Sequence, residues 1–364
     1  MAGSIIGRNF RITTFGESHG RALGVVIDGC PAGLSLSEDD LRPFMARRRP
    51  GQSEFTTPRN ETDDIEILSG IFDGRTEGTP ISIIIYNKDQ HSSDYRDIAS
   101  YYRPGHADYT FDQKYGFRDH RGGGRSSGRE TVARVAAGAV ASKLLDCFGI
   151  SCMAYTKAIG PYEISSFDRT EINRNSLYMP DADAAAKASS YLENLISEGN
   201  SAGGIIECRI SGCPSGLGEP VFDKLSAELA KAIMSIGAVK GFEIGDGFAS
   251  ACSTGSENND VFINDKGNII KSTNHSGGTL GGISDGSEII FRAAVKPTAS
   301  ISAPQRTVNS DGQEIQINIK GRHDPVIVPR AVVVVESMAA ITVADALISN
   351  MSSRLDRMID FYRK

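Results

Sequence analysis

The sequence predicts an α+β protein made of two related halves. Runs of residues typical of β-strands are interrupted by long helical stretches without strict strand–helix–strand alternation, which favours sheets packed on helices. The phrase GCPAGL at 29–34 returns as GCPSGL at 212–217, and LSGIFDG at 68–74 returns as LGGISDG at 280–286. Two landmarks in the same order favour a duplication with unequal insertions. Two coincidental glycine-proline turns are the alternative.

Length and composition exclude several classes of protein. A chain of 364 residues exceeds a typical single domain, so we expect two domains or one large duplicated fold. The net charge of −6 argues against a general nucleic-acid binder. The six cysteines form no C-x-x-C pair and no zinc-ligand spacing, which predicts a reduced cytosolic protein without a metal site. We expect neither a signal peptide nor a membrane span.

The predicted elements follow in chain order. The helix in SEDDLRPFMARRR begins after the cap Ser37 and stops at Pro50, and the helix in FDKLSAELAKAIMSI ends at Gly237. The polar, alanine-rich segment 161–204 predicts a peripheral helix with its loops. The strand-like runs lie at 5–14, 24–28, 81–86, 205–210, 288–295, 315–319 and 326–335.

A glycine-serine loop carries the clearest chemical signal. GGGRSSGRET leads into a helix predicted at about 128–145, with Ser127 and Glu130 at the spacing of a capping box. Such a loop offers backbone N–H groups and the positive end of the helix dipole to a phosphate. It is neither a P-loop nor a true G-x-G-x-x-G. Four arginines favour anion binding over a merely close-packed turn: Arg121, Arg125, Arg129 and Arg134.

Other loops carry acids, bases and cations. Arg47–Arg49 end the first predicted helix, where they either compensate its dipole or bind a multiply anionic ligand. His19 and His106 lie in glycine-flanked loops, and two such histidines near arginines and carboxylates favour acid chemistry over ordinary surface positions. KPTAS at 296–300 follows a predicted strand, and Pro325 holds Asp324 in an extended conformation.

Taken together, these motifs resemble the chorismate synthase family. The resemblance rests on GESHG, RRRPGQS, RPGHADYT, GGGRSSGRET, GEPVFDKL with AVKGFEIGDGF, NHSGGTLGGIS, KPTAS and GRHDP, which run to about residue 345. It implies an internally duplicated β-α-β sandwich, with a central helical layer between two antiparallel sheets. Residues 1–364 would form one domain with halves at about 1–150 and 200–345, assembled as a homotetramer in the cytoplasm.

The resemblance also implies a reaction and a cofactor. The family is a lyase that converts 5-enolpyruvylshikimate 3-phosphate to chorismate and phosphate by 1,4-anti elimination, at the end of the shikimate pathway. It uses reduced FMN without net redox change. NADPH enters only indirectly or as an optional reductant, and Glu54 stands where some members carry arginine, which weakens a NADPH contact there.

Roles for individual residues follow from the same resemblance. His19 would protonate the leaving phosphate, His106 would keep the reduced flavin suitably protonated, and Asp324 would act through the central-ring nitrogen of the flavin. Substrate binding would fall to Arg48, Arg49, Arg103 and Arg129. FMN binding would fall to Arg125, Ser126, Ser127, Gly237, Ala238, Gly281, Lys296, Pro297, Thr298, Ala299, Ser300 and Arg322. Gly237 replaces a residue that is often larger and polar.

Two other functions compete with this interpretation. An ATP-dependent small-molecule kinase would also need a glycine-serine loop at a helix and abundant arginine, but the chain has no P-loop lysine and no obvious magnesium carboxylates. An RNA-binding module would use the RRR and GGGRSSGR stretches. The acidic pI of the chain and the absence of interleaved aromatic and basic residues argue against RNA binding.

Overall fold

The computed structural model describes residues 3–51, 55–56, 62–88, 97–120, 122–319 and 324–363. The strands are β1 Ile5–Ile6, β2 Arg11–Gly16, β3 Ala22–Asp28, β4 Ile65–Ser69, β5 Ile71–Phe72, β6 Arg75–Thr76, β7 Ile81–Tyr86, β8 Ser151–Ile159, β9 Tyr162–Glu163, β10 Gly204–Ser211, β11 Val239–Ile244, β12 Phe262–Asp265, β13 Asn268–Lys271, β14 Thr279–Leu280, β15 Ile283–Ser284, β16 Ile289–Val295, β17 Gln305–Val308 and β18 Glu314–Ile317. The helices are α1 Glu38–Arg48, α2 Asp108–Tyr115, α3 Thr131–Asp146, α4 Ala182–Ser197, α5 Leu225–Met234, α6 Gly255–Asn258, α7 Val328–Asn350 and α8 Leu355–Tyr362.

Two antiparallel sheets enclose a layer of helices. The first sheet has the strand order β1-β2-β3-β7-β4, and the second has the order β11-β16-β10-β8-β9. Between them α3 packs on α7, with α3 also touching β3 and β7 and α7 touching β8 and β10. Burial alternates along β7, so that Ile81, Ile83 and Ile85 are fully buried on the face toward the helices. The fold is the predicted internally duplicated β-α-β sandwich.

The two sheets repeat one another in topology and in detail. The order β2-β3-β7-β4 of the first corresponds to β8-β10-β16-β11 of the second, and each set is followed by a long core helix. In the first half the Thr76 hydroxyl donates to the carbonyl of Pro31 at 2.6 Å. In the second half the Ser284 hydroxyl makes the same bond to Pro214 at 2.6 Å. The repeated GCP phrases therefore close the same kind of turn. The proposed boundaries of the halves stay a prediction.

One strand prediction is wrong. The run 326–335 was expected to be a strand because of its valines, but it contains the start of α7. Pro329 lies in the first turn of this helix, where its missing N–H costs no hydrogen bond. The valines are buried on all sides between the two sheets, and this packing outweighs their β-propensity. The helix α7 is long and apolar enough to cross a membrane, but most of it is buried inside the protein.

The predicted helices exist, with shifted ends. The first begins after Ser37, which forms a capping box with Asp40, as expected from its cap. The helix α5 ends three residues before Gly237, and α4 lies within the segment expected to hold a peripheral helix. The capping box predicted at Ser127 is wrong in detail. Its hydroxyl accepts from the N–H of Arg129, while Glu130 binds Thr14 and Arg134 instead, because a short 3-10 turn precedes α3.

Candidate active site

A cleft of about 450 Å³ lies beside the glycine-serine loop. Its walls come from Glu17 after β2, from the start of α2, and from the loop that precedes α3. His106 and Asp108 line one wall, and Gly122–Ser126 line the other. The cleft therefore brings together loops that the sequence singled out separately.

His19 lies in the turn that follows β2, against the glycine loop. A Cβ atom placed on Gly122 would lie 2.5 Å from Cε1 of His19, and the φ of +98° at Gly122 also favours glycine. The imidazole is half-buried, and its Nδ1 lies 3.0 Å from the Ser18 hydroxyl. The absence of a side chain at Gly122 thus makes room for the histidine.

Arg103, His106 and Asp108 form a buried cluster at the start of α2. Two nitrogens of the Arg103 guanidinium donate to the two carboxylate oxygens of Asp108, at 2.8 and 2.7 Å. Nδ1 of His106 lies 3.0 Å from Oδ1 of the same carboxylate. Burial alone would raise the pKa of Asp108, but hydrogen bonds from Arg103 and His106, together with the guanidinium charge of Arg103, hold it well below its usual range. Asp108 is therefore an anion that orients both neighbours.

The three arginines at the end of α1 have three different environments. Arg47 donates to both carboxylate oxygens of Glu336 on α7, at 2.7 and 3.0 Å, which joins two helices. Arg48 is 2% exposed and donates to Asp63 at 3.0 Å and to the carbonyl of Gly128 at 2.8 Å. Arg49 is exposed. Helix-dipole compensation therefore does not account for Arg48, which is turned into the protein toward the glycine-serine loop.

Asp63 is shared by two of the arginines predicted to bind substrate. It accepts hydrogen bonds from Arg48 and from Arg129, and its side chain is fully buried. Burial alone would raise the pKa of this carboxyl, but the two guanidinium charges hold it below its usual value. Burial lowers the pKa of Arg48 to about 10, against the opposing charge of Asp63. Two cations face one anion here, so the cluster retains an excess of positive charge.

Asn87 joins this cluster to the turn of His19. Its amide nitrogen donates to the carbonyls of Glu17 and Gly20, at 3.1 and 2.8 Å, and its oxygen accepts from Nε of Arg129 at 3.0 Å. On the other side, Arg330 donates to the backbone carbonyl of Arg48 at 3.3 Å and to Asp324 at 2.7 Å. The turn that carries His19 and the carboxylate of Asp324 are thus the two ends of one continuous hydrogen-bonded chain.

The first FMN segment predicted by resemblance lies at the cleft. Arg125 donates to the carbonyl of Gly16 at 3.1 Å and to the Thr14 hydroxyl at 2.7 Å, so it fastens the loop to β2. Ser126 is exposed at the cleft, and its carbonyl oxygen lies 3.9 Å from where a Cβ of Gly237 would be. A larger polar side chain at this position would project beside Ser126.

The KPTAS segment is brought to the loop of His106. Nζ of Lys296 donates to the carbonyl of Gly105 at 2.6 Å, and its backbone N–H donates to Ala238 at 2.9 Å. A Cβ on Gly105 would lie 3.3 Å from Cβ of Ala299, so the two loops are in contact. The Thr298 carbonyl accepts from the Ser201 hydroxyl at 2.8 Å, which fixes the segment from behind. The neighbours Pro297 and Ser300 belong to the same segment.

Gly281 is not brought to this group. The carbonyl of its neighbour Gly282 accepts from the N–H of Leu225, at the first residue of α5, whereas Gly237 follows the last turn of that helix. A ten-residue helix is about 15 Å long, so Gly281 and Gly237 lie at opposite ends of α5. Arg322, Glu54 and Arg121 lie outside the described residues.

Three site residues were missed by reading the sequence, namely Asp63, Asn87 and Arg330. Asp63 has a positive φ of 51°, which aims its carboxylate at both arginines. No local pattern marks these residues, because each acts through partners distant in the chain. Among the described residues no group of three or more histidine, cysteine, aspartate and glutamate side chains could hold a metal ion.

Fold and site define a class: a duplicated two-sheet sandwich in which arginine side chains surround a glycine-serine loop beside a cleft, an arrangement that suits a small, multiply anionic molecule. A family model described as chorismate synthase matches residues 10–348. The chorismate synthase of Agathobacter rectalis is 65% identical over 366 residues, covering 100% of both chains. That of Syntrophobacter fumaroxidans is 56% identical over 348 residues, covering 96% of this chain and 98% of the relative. A crystal structure of chorismate synthase is similar with a TM-score of 0.76 at 30% identity, over 98% of each chain. The chain belongs to the chorismate synthase family, enzymes of the final step of the shikimate pathway.

Proposed function

We propose that this protein converts 5-enolpyruvylshikimate 3-phosphate to chorismate and phosphate by 1,4-anti elimination, with reduced FMN as its cofactor and no net redox change. The observation that carries the proposal is the convergence of histidine and arginine side chains on one glycine-serine loop. Gly122 lies against His19, and its carbonyl oxygen accepts a hydrogen bond from Arg103. The carbonyl oxygen of Gly128 accepts one from Arg48. A substrate with one phosphate and two carboxylates requires such a density of cations. Family membership gives the kinase alternative no support.

The residues present fit a bound FMN. The cleft of about 450 Å³ lies within the usual range of small-molecule sites. Oγ1 of Thr298 is buried without a hydrogen-bond partner among the residues that the structure describes, so a bound group would satisfy it. We assign the FMN contacts to Arg125–Ser127, to Gly237 and Ala238, and to 296–300. Gly281 and Arg322 stay predictions.

The chain's own residues supply charge and protons. When bound, reduced FMN supplies electron density that assists the departure of an allylic phosphate. Arg48 donates to Asp63, Gly128 and Thr131 within the protein, and its positive charge lies directly behind the glycine-serine loop, where it attracts a substrate anion. His19 gives a proton to a phosphate oxygen as the C–O bond breaks, and Asp324, acting through the central-ring nitrogen of the flavin, would help the cofactor take up the proton released from carbon.

The proposal is tested by mixing the purified protein anaerobically with 5-enolpyruvylshikimate 3-phosphate and dithionite-reduced FMN. Chorismate absorbance and phosphate are followed together. Equal release of both, absent with oxidised FMN, would support the flavin-dependent lyase. Folded protein that forms neither product would contradict it, and ATP-dependent phosphotransfer would then be measured. Adding NADPH with oxidised FMN separates an enzyme that reduces its own flavin from one that receives it reduced.

Two variants test the assigned roles. We expect His106→Ala and Asp324→Ala each to lower kcat by roughly 10²–10⁴-fold with the fold retained, because each removes a group that moves a proton. Asp311→Ala is the control, since this aspartate is exposed in the β17–β18 turn. A near-normal kcat in either variant would reject the role of that residue.

We also propose that the protein is a cytoplasmic homotetramer. The hairpin β12–β13 leaves large apolar side chains exposed on both strands, with Ile269 at 80%, Phe262 at 59% and Ile263 at 43%. A group of this kind on a soluble protein is typical of an interface between subunits. Light scattering of the wild type, compared with Phe262→Ser/Ile269→Ser, measures the assembly. A monomeric wild type at micromolar concentration would contradict the proposal.

A further inference from the structure

His106 has two candidate hydrogen-bond partners at one ring nitrogen. Nδ1 lies 3.0 Å from Nη2 of Arg103, which can only donate, and 3.0 Å from Oδ1 of Asp108, which as a carboxylate can only accept. The nitrogen can serve only one of them. If Nδ1 carries the proton, it donates to Asp108. If it does not, it accepts from Arg103 and the proton lies on Nε2.

The surrounding donors resolve this choice. Nη2 of Arg103 has two hydrogens, of which one reaches Oδ1 of Asp108 at 2.7 Å. The second can reach the carbonyl of Gly122 at 3.4 Å. Oδ2 of Asp108 accepts from the backbone N–H and from Nε of Arg103, at 3.0 and 2.8 Å. With the proton of His106 on Nδ1, each of these donors has an acceptor and no two acceptors lie in contact. The other tautomer would place the Nδ1 lone pair 3.0 Å from an anionic carboxylate oxygen, which is repulsive.

We propose that Asp108 is a positioning residue that fixes His106 as the tautomer protonated on Nδ1, with the unprotonated Nε2 available to the molecule in the cleft. This inference rests on the proposed function, since it specifies the nitrogen through which His106 acts. Nε2 takes a proton from the bound molecule and returns it, while Nδ1–H stays on Asp108. The buried carboxylate balances the positive charge that the ring then carries. Arg118 lies 3.2 Å from Oδ1 and adds a second guanidinium charge beside the carboxylate.

The tautomer is measured directly in protein labelled with ¹⁵N at histidine, from the shifts of the two ring nitrogens. His106→Gln assigns the signal among six histidines. We expect the wild type to be protonated on Nδ1. In Asp108→Asn, where the amide can donate or accept, we expect a mixture of tautomers. We also expect kcat to fall by roughly 10²–10⁴-fold, as the wrong tautomer cannot accept the proton.

The control is Asp112→Asn, one turn further along α2. Asp112 pairs with Arg118 at 3.2 Å, and we expect its variant to keep the tautomer of His106. If Asp108 only held Arg103 in place, Asp108→Asn would raise KM, because Arg103 would bind the substrate less well, and the tautomer of His106 would stay unchanged. Asp108→Glu should restore part of kcat.

Each outcome bears on one proposal. A wild-type His106 protonated on Nε2 overturns the inference even if Asp108→Asn does not fold. An unchanged tautomer with unchanged kcat in a folded Asp108→Asn also overturns it. A wild type protonated on Nδ1 that forms no chorismate contradicts the proposed function and leaves the role of Asp108 standing, because the NMR measurement requires no turnover.

Discussion

Lys296 reaches across 191 positions of the chain to donate a hydrogen bond to the carbonyl of Gly105, at 2.6 Å. This bond joins the KPTAS segment of the second half to the loop of His106 in the first. Burial, helped by the charge of Lys240, lowers the pKa of Lys296. The ammonium is therefore held in a partly desolvated position where its hydrogen bond is strengthened.

Lys296→Met should separate the two loops while keeping most of the apolar stem. We expect the affinity for reduced FMN to fall by roughly 10- to 100-fold, since one charge-assisted hydrogen bond is worth roughly 1.5–3 kcal/mol. The measurement is FMN binding by fluorescence in the presence of substrate. Lys240→Met, an exposed neighbour, is the control. Equal losses in both variants would point to net charge instead of the bond.

Gly122→Ala should displace His19. Its Cβ would lie 2.5 Å from Cε1 and 2.6 Å from Nδ1 of the imidazole. We expect kcat to fall at least about 10²-fold, because a small misplacement of a reacting group has an effect of this size. Gly124→Ala is the control: its φ is also positive, at +51°, but nothing lies within 4 Å of the new Cβ. If kcat falls equally in the two variants, then backbone strain, and not displacement of His19, causes the loss. A normal kcat in Gly122→Ala would contradict the prediction.

Asp63→Asn should destabilise the fold. It leaves the buried guanidinium of Arg48 without its carboxylate, and breaking a buried ion pair costs about 3–5 kcal/mol. Asparagine tolerates the φ of 51°, so the backbone can stay in place. Urea unfolding measures the change. Asp64→Asn, which removes an exposed pair with Lys88, should change the free energy of unfolding by less than about 1 kcal/mol. Similar changes in the two variants would contradict this account.

Glu207 should contribute to acid unfolding. Burial alone would raise its pKa, but hydrogen bonds and charges from Tyr155, Lys157 and Arg292 lower it to about 2. A lowered carboxyl pKa stabilises the fold above the unfolded value and loses this contribution as the pH falls from about 5 to about 2, in total about 3 kcal/mol. Glu207→Gln should flatten the stability curve in this window. Glu163→Gln, a more exposed partner of Lys157, is the control. A slope unchanged by Glu207→Gln would contradict the prediction.

Much of the fold was predictable because its signals are local. The cap at Ser37 and the repeated GCP phrases depend on neighbouring residues, and all correspond to elements of the structure. The helix α7 was misassigned because its valines favour strands when they are considered alone. Only the two sheets around it make a helix the better way to bury them.

The site was predictable at its loops and not at its ion pairs. Glycines, histidines and arginines in short motifs marked the cleft. Asp63 could not be found from the sequence, because its role is to form ion pairs with Arg48 and Arg129, which come from two other parts of the chain. The three arginines 47–49 are adjacent in sequence, and only the packing of α1 against α3 and α7 separates their environments.

The contact between α3 and α7 also constrains how the chain reaches its native state. A Cβ on Gly138 of α3 would lie 2.2 Å from Cβ of Ser337 on α7, so the two helices are in close contact at Gly138, with no room for a side chain there. The helix α7 follows the strands of both sheets in the chain, so these strands leave the ribosome before α7 is synthesised. Until α7 has been synthesised, the second sheet lacks the helix that covers it and the apolar face of α3 lacks its partner. Folding of the core therefore completes after most of the chain has left the ribosome, and the nascent protein needs protection from aggregation over that interval.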